Sequence, residues 1–193
     1  MDHPGELRPA NRLFVAADLP GPAREALARI GAGLAARVGG RAVPAANLHV
    51  TLDFLGRVPP EAGPELADAV TTALAGPAIP VALDGLRPRP RAARARLVAV
   101  EIDDPEGGLT ARAGRVREAV DAVLGREPSD APPWLHVTVL RLGRPARVEP
   151  DGVPGGGEQM FAVSRGALYD SHQSPGGPPR YRELAAVEFA PVP

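Results

Sequence analysis

The sequence predicts an α+β fold in which helices pack on the outer faces of sheets. Three observations support this prediction: strand-like and helix-like segments alternate along the chain, glycine and proline separate them, and one strand motif occurs twice. Of the 193 residues, 44% are apolar, which is enough to bury a hydrophobic core. No polar linker divides the sequence, so residues 1–193 are expected to form a single domain.

Periodicity predicts three strands and two helices in the first half of the chain. The strands have apolar or alternating runs, whereas the helices carry apolar residues three or four positions apart. Pairs of glycine and proline, such as Gly39-Gly40 and Pro59-Pro60, mark the ends of these segments. The strands are predicted at residues 12–19, 47–55 and 79–86, and the helices at residues 22–38 and 61–74.

The second half repeats this mixture of elements. A helix is predicted at residues 109–124, where Gly125 ends it, and strands are predicted at residues 97–102 and 134–142. Residues 161–169 and 181–189 are predicted to form a closing pair of strands. The Arg/Pro-rich residues 87–96 and the Pro/Gly-rich residues 144–158 are predicted to be loops, the second of them mobile.

The composition excludes several classes of function. The chain has no cysteine, which rules out disulfides, thiolate metal sites and thiol nucleophiles. The net charge of −1 gives no overall attraction to polyanions, so nucleic acid would have to bind through a local patch. The N-terminus lacks the pattern of a signal peptide, and no apolar run is long enough to span a membrane. We therefore expect a cytoplasmic protein that does not bind membranes.

One motif occurs twice in the same frame. Residues 48–56 have the sequence LHVTLDFLG, and residues 135–143 have the sequence LHVTVLRLG. Side chains two positions apart on a strand leave the same face, so His49 projects with Thr51, and His136 with Thr138. If the two halves are related by an approximate twofold axis, both pairs can face each other across one cleft.

Two histidines and two threonines that converge in this way suit a phosphodiester. The ordinary pKa of histidine, about 6.5, allows one imidazole to be neutral and the other protonated near pH 7. One can then accept a proton while the other donates one, and the hydroxyls of Thr51 and Thr138 can bind the non-bridging oxygens. Arg141 would suit the same anion, but it follows Thr138 by three positions and so lies on the opposite face of an ideal strand.

Other residues have competing interpretations. Two histidines can bind a metal ion, but only Asp53, predicted to share the face of Thr51, could assist them, and we expect no metal or cofactor. Residues 87–96 (RPRPRAARAR) could form a basic lip for RNA, although a solvated loop is the slightly favoured interpretation in a chain whose cations are all arginines. Tyr169 and Tyr181 could stack on a base or merely pack, and Phe54 is predicted to lie in the core.

Five segments of the chain have the sequences RLFVAADLP, NLHVTLDFLG, ARLVAVEI, LHVTVLR and LYDSHQSPGGPPRYREL. Together they resemble the 2H phosphoesterase family, and within it the bacterial RNA 2′,3′-cyclic phosphodiesterases, also called 2′-5′ RNA ligases. The resemblance extends over nearly the whole chain. One departure precedes the second motif, where relatives often carry Phe-x-Pro-His and this chain carries Pro-Pro-Trp-Leu-His.

The resemblance implies a bilobal fold: two lobes of antiparallel sheet, related by a pseudo-twofold axis, with outer helices around a central cleft. It also implies metal-independent hydrolysis of an RNA-terminal 2′,3′-cyclic phosphate to a 2′-phosphate. By position, His49 would donate a proton to the leaving 3′ oxygen, and His136 would accept a proton from water. Thr51, Thr138 and Arg141 would bind the phosphate.

Three hypotheses about the substrate remain open. The first is a monomeric enzyme that acts on RNA with 2′,3′-cyclic phosphate ends, tRNA fragments included, with reverse 2′-5′ joining as a second activity. The second is a small-molecule cyclic phosphodiesterase that acts on nucleoside or ADP-ribose cyclic phosphates. The third is a non-catalytic module that binds RNA ends, and the paired histidines disfavour it because binding alone does not need two groups that titrate near neutrality.

Overall fold

The computed structural model describes residues 12–129, 131–149, 160–173 and 176–191. Within these residues there are three α-helices and nine strands, and the strands form two antiparallel sheets. This confirms the predicted α+β class. The helices are α1 (Gly21–Val38), α2 (Gly63–Leu74) and α3 (Gly108–Leu124). In this part of the chain, no helix has the length and apolar content needed to cross a bilayer.

A four-stranded sheet forms the first lobe. Its strands are β1 (Arg12–Asp18), β3 (His49–Arg57), β8 (Arg165–His172) and β9 (Arg180–Glu188). They lie in the order β3–β1–β8–β9, and every neighbouring pair is antiparallel. Helices α2 and α3 pack against each other and against one face of this sheet.

A five-stranded sheet forms the second lobe. Its strands are β2 (Arg41–Ala42), β4 (Ile79–Arg89), β5 (Ala95–Asp103), β6 (His136–Ala146) and β7 (Met160–Val163). They lie in the order β2–β6–β5–β4–β7. Helix α1 packs on β6, so closely that a Cβ atom at Gly31 would lie 2.5 Å from the carbonyl oxygen of Val139. With helices on one face of each sheet, the uncovered faces are free to form a cleft.

The C-terminal strands differ from the prediction. The pattern of residues 161–169 predicts one strand, but the chain leaves one sheet and enters the other at Ser164. Strand β7 pairs with β4 in the five-stranded sheet, whereas β8 pairs with β1 and β9 in the four-stranded sheet. The carbonyl of Ser164 accepts a hydrogen bond from the backbone N–H of Phe189 at this crossing. The segment predicted as one strand is therefore two strands, one in each lobe.

The two predicted loops are also partly strand. Residues 87–89 continue β4 and pair with β5 (Arg87 with Ala99, Arg89 with Leu97). Pro88 is tolerated because β7 covers only the first residues of β4, which leaves the later part as a sheet edge. Residues 144–146 belong to β6, and the rest of the predicted mobile loop, from residue 150 on, lies outside the described residues.

Candidate active site

A cavity of about 890 Å³ lies between the two sheets. Its wall contains residues of both lobes, so the two copies of the motif meet at one cleft. The structure places there all five residues singled out in the sequence: His49, Thr51, His136, Thr138 and Arg141.

Both imidazoles are held in the same way. The Nδ1–H of His49 donates to the backbone carbonyl of Asn47 at 2.8 Å, and that of His136 donates to the carbonyl of Trp134 at 2.7 Å. A carbonyl only accepts, so this bond fixes the hydrogen of the neutral ring on Nδ1. Nε2 is therefore the atom that accepts a proton in the neutral ring and donates one in the charged ring.

A β-bulge follows Thr138 and determines where Arg141 lies. Ala99 is opposite Thr138, yet Leu97 is opposite Arg141, because Val139 is an extra residue in β6. One extra residue reverses the alternation, so Arg141 returns to the face of Thr138 and lines the cleft. The expectation that Arg141 lies on the opposite face of the strand is therefore wrong.

A second bulge occupies the equivalent position of the first motif. Leu52 is an extra residue of β3 after Thr51, and Phe54 consequently lies opposite Phe14 on the cleft face. Phe54 is 68% exposed, so the prediction that it lies in the core is wrong for the same reason. Phe54 and Arg141 thus hold the same position in their two motifs, three residues after threonine.

The bulge at Leu52 in β3 also moves Asp53. Its partner in β1 is Val15, a fully buried residue, so Asp53 faces the helix layer and not the cleft. There burial raises the pKa of the carboxyl, and the positive charges of Arg117 and Arg126 oppose this rise. Asp53 therefore does not share the face of Thr51, and the pair of histidines gains no third ligand from it.

Each histidine faces a carboxylate on the neighbouring strand. Asp18 lies opposite His49 in the register of β1 and β3, and Glu101 lies opposite His136 in that of β5 and β6. Both acids raise the pKa of the imidazole that they face. No sequence pattern indicates this match, because it depends on the pairing of strands distant in sequence.

The surroundings of the two carboxylates correspond. Asp18 binds the guanidinium of Arg165 and accepts a 2.7 Å hydrogen bond from the hydroxyl of Tyr169. Glu101 binds Arg87 at 2.6 Å and accepts a 3.0 Å hydrogen bond from the indole Nε1 of Trp134. Each lobe therefore contains a histidine, an acid opposite it, and an arginine and an aromatic side chain that hold the acid.

His49 lies in an aromatic setting. Its ring centroid is 4.9 Å from that of Phe14 and 5.4 Å from that of Tyr181, which meets it edge-on. Burial among these groups lowers the pKa of His49 to about 4. Tyr181 lines the cleft, whereas Tyr169 lies behind Phe14 and bonds to Asp18. Of the two tyrosines considered from the sequence, Tyr181 is thus the one at the cleft.

His136 is stacked on a single ring. The Trp134 centroid is 3.6 Å from its own, with the planes 16° apart, and the guanidinium of Arg89 lies 4.2 Å from the Trp134 ring centre. Burial lowers the pKa of His136, and the charge of Arg89 adds to this effect. Arg87 and Arg89 therefore contact Glu101 and Trp134, and residues 87–89 are strand and not the solvated loop of the slightly favoured interpretation. That the stretch forms a basic lip for RNA stays a prediction.

The cleft wall is positively charged. It contains four arginines and two histidines and, among the described residues, no aspartate or glutamate. One of the arginines, Arg126 of the segment after α3, donates to the backbone carbonyl of Leu55. The others are Arg12, Arg41 and Arg141. Since the whole chain has a net charge of −1, this concentration of positive charge is local.

Comparisons with known proteins bear on the family and the fold of the chain. The model of the family described as LigT like Phosphoesterase matches residues 18–96. The RNA 2′,3′-cyclic phosphodiesterase of Escherichia coli (strain K12) is 34% identical over 164 residues, which is 83% of this chain and 86% of that protein.

Two solved structures share the fold. Escherichia coli LigT complexed with 3′-AMP has a TM-score of 0.74 at 30% identity, over 93% of this chain and 98% of that one. A protein of Thermus thermophilus has a TM-score of 0.78 at 27% identity, over 92% of this chain and 97% of that one. The resemblance found in the sequence is thereby confirmed: this chain belongs to the LigT-like phosphoesterases of the 2H superfamily.

Proposed function

We propose that the protein hydrolyses an RNA-terminal 2′,3′-cyclic phosphodiester to a 2′-phosphate, with His49 and His136 as the proton-transfer pair. One observation carries the proposal: two imidazoles, each bonded through Nδ1 to a backbone carbonyl, line a single positively charged cleft. The name of the Escherichia coli relative supports the choice of substrate.

The proposed step uses water and side chains of this chain alone. Nε2 of His136 takes a proton from water, whose oxygen forms the new bond to phosphorus. The bond from phosphorus to O3′ breaks, and Nε2–H of His49 protonates the departing oxygen. The products are a 3′-hydroxyl and a 2′-phosphate, and a proton must pass from His136 back to His49 before the next turnover.

The remaining residues of the motifs stabilise the reacting anion. Thr51 and Thr138 share the faces of the two histidines, so their hydroxyls can donate to the non-bridging oxygens. Arg141 supplies a positive charge and a planar fork suited to the same group. The pKa of His49 in the protein without substrate is about 4. His49 must therefore be protonated in the presence of the substrate anion, because the anion favours the charged imidazole.

Two related activities use the same centre. A 5′-hydroxyl that replaces water as the attacking group would form a 2′-5′ phosphodiester while the same bond to O3′ breaks, which is the reverse joining considered from the sequence. A small cyclic nucleotide is the second candidate substrate, because the related Escherichia coli structure contains the mononucleotide 3′-AMP. We place RNA first because of the extended positive wall.

The test is a single incubation. Purified protein is mixed with an oligonucleotide that ends in a 2′,3′-cyclic phosphate, in excess EDTA, and the isomer of the product is identified by ³¹P NMR. We expect full turnover to a 2′-phosphate. A 3′-phosphate would contradict the assignment of the leaving oxygen, and tight binding without turnover of any cyclic phosphate would leave only an RNA-end-binding module.

A further inference from the structure

Two arginines lie directly opposite each other at the edge of the cleft. Arg41 of β2 is the cross-strand partner of Arg141 of β6, and both line the cavity. Like charges in this relation destabilise a sheet. In the described part of the chain, neither guanidinium has a carboxylate partner. Within those residues, the pairing is therefore an electrostatic cost without a compensating acid.

The backbone is built to keep Arg41 in this place. Strand β2 has two residues, and within the described parts of the chain its one partner strand is β6. Gly40, with φ at +94°, precedes it, and a Cβ atom there would lie 2.8 Å from the carbonyl oxygen of Arg141. The approach of β2 to β6 thus requires glycine at position 40. A hydrogen bond from the backbone N–H of Val43 to the carbonyl of Val139, at 2.9 Å, closes the segment.

The two arginines differ in their distance from the histidines. Arg141 lies on the same strand and the same cleft face as His136 and Thr138, and its charge lowers the pKa of both His49 and His136. Arg41 lies one strand farther out, at the edge of the sheet, and adjacent strands are about 4.8 Å apart. This offset leaves room for an anion at Arg41 beside the reacting phosphate.

We propose that Arg41 binds the phosphodiester that joins the terminal nucleotide to its 5′ neighbour, so that the cleft selects oligonucleotides over nucleoside cyclic phosphates. The inference rests on the proposed function and adds a second phosphate site to it. The second anion offsets the repulsion between Arg41 and Arg141. A nucleotide with a free 5′-phosphate offers the same chemistry, so the experiment must separate the two sources.

Four substrates test the site: a nucleoside 2′,3′-cyclic phosphate, its 5′-phosphorylated form, a dinucleotide with the same cyclic end, and that dinucleotide with a neutral methylphosphonate linkage. We expect the charged dinucleotide to exceed the neutral one about tenfold in kcat/KM, the effect of one charge-assisted hydrogen bond. In Arg41→Gln this ratio should fall to about one. In Arg29→Gln, which removes an exposed arginine of α1 outside the cleft wall, it should stay unchanged.

The outcomes separate the two levels of the proposal. If Arg41→Gln lowers kcat/KM equally for all four substrates, Arg41 acts on the reacting phosphate, and the second site is refuted. A ratio retained in Arg41→Gln refutes it as well. If the 5′-phosphorylated nucleoside cyclic phosphate reaches the kcat/KM of the charged dinucleotide, selection for oligonucleotides is contradicted.

A failure of the proposed function can be recognised independently. If the wild type turns over none of the four substrates, binding is measured instead by calorimetry, with the 2′-phosphate dinucleotide and its methylphosphonate form. A loss of affinity on neutralising the linkage, present in the wild type and absent in Arg41→Gln, would support the second site without any catalysis. Equal affinities in the wild type would refute it.

Discussion

The two copies of the motif share their geometry and differ in what surrounds it. In both lobes a backbone carbonyl two residues before the histidine fixes the ring, and an acid lies opposite on the neighbouring strand. In both, a bulge after the threonine exposes the third residue beyond it to the cleft. Duplication of the sequence thus reproduces the machinery that aims the side chains.

The differences concern the residues that the shared geometry presents. The first lobe places the aromatic ring of Phe54 where the second places the guanidinium of Arg141. His49 is surrounded by Phe14 and Tyr181, whereas His136 is stacked on Trp134. A symmetric frame can therefore support asymmetric chemistry, because only the side chains at equivalent positions need to differ.

Removal of either histidine should have the largest effect. We expect His49→Asn and His136→Asn each to lower kcat by about 10²–10⁴, and the double variant to lose little more, because the two act as a unit. His172→Asn is the matched control, since His172 pairs with Asp170 outside the cleft wall. If one of the two single variants kept wild-type turnover, the histidine replaced in it would have no part in proton transfer.

Substitution of Arg141 and of Phe54, the residues three positions after threonine in the two motifs, should separate their roles. Arg141→Gln is expected to lower kcat/KM for a cyclic mononucleotide roughly 10–100-fold, because it removes a charge that acts on the anion. Phe54→Leu should change it only a few-fold and leave the melting temperature within about 1 °C, because the ring is mostly exposed. Steady-state kinetics and thermal unfolding of both variants check this, and equal losses of activity would mean that the two positions are functionally alike.

The smallest effects should come from the two carboxylates, and they should appear in the pH profile. Burial lowers the pKa of His49 to about 4 and that of His136 below its usual 6.5. One ring must be charged and the other neutral, so wild-type kcat/KM should peak between about pH 4 and 6.5. Asp18→Asn should move the limb that reports His49 to lower pH, and Glu101→Gln the limb that reports His136, because each acid raises the pKa of its histidine.

Two further variants serve as controls for this experiment. Glu183 binds Arg165, and Asp84 binds Arg87, so each shares an arginine with one of the two acids. Glu183→Gln and Asp84→Asn perturb the same ion pairs without removing a charge opposite a histidine. They should leave both limbs in place, and a shift as large as that of Asp18→Asn would assign the effect to the arginines.

The sequence was sufficient to predict the fold class and the pairing of the histidines. The duplicated motif and the resemblance implied that the histidines meet at one cleft. The spacing rules placed His49 with Thr51, and His136 with Thr138, on a common face, because each pair lies two positions apart on uninterrupted strand. The same rules failed for Arg141 and Phe54, one bulge farther on. A bulge is a property of two paired strands, and no pattern within one of them indicates where the extra residue lies.

The stacking partner of His136 was also beyond sequence reasoning. Trp134 precedes the strand and could only be noted as a departure from its relatives. Its role depends on Glu101 and Arg89, which are distant in the sequence and meet it through the pairing of β5 with β4 and β6. Contacts of this kind follow from tertiary structure and not from local pattern.

The seat of α1 on β6 carries a consequence for variation far from the cleft. A Cβ atom at Gly31 would lie 2.5 Å from the carbonyl oxygen of Val139, the extra residue that returns Arg141 to the cleft face. A methyl group at position 31 would displace the bulge at Val139. The guanidinium of Arg141 would then move away from the bound anion, although no residue of the cleft had been replaced. A mutational scan would then record a loss of activity at a buried residue of α1 outside the cleft wall. The cause would be the contact of that residue with the backbone of β6.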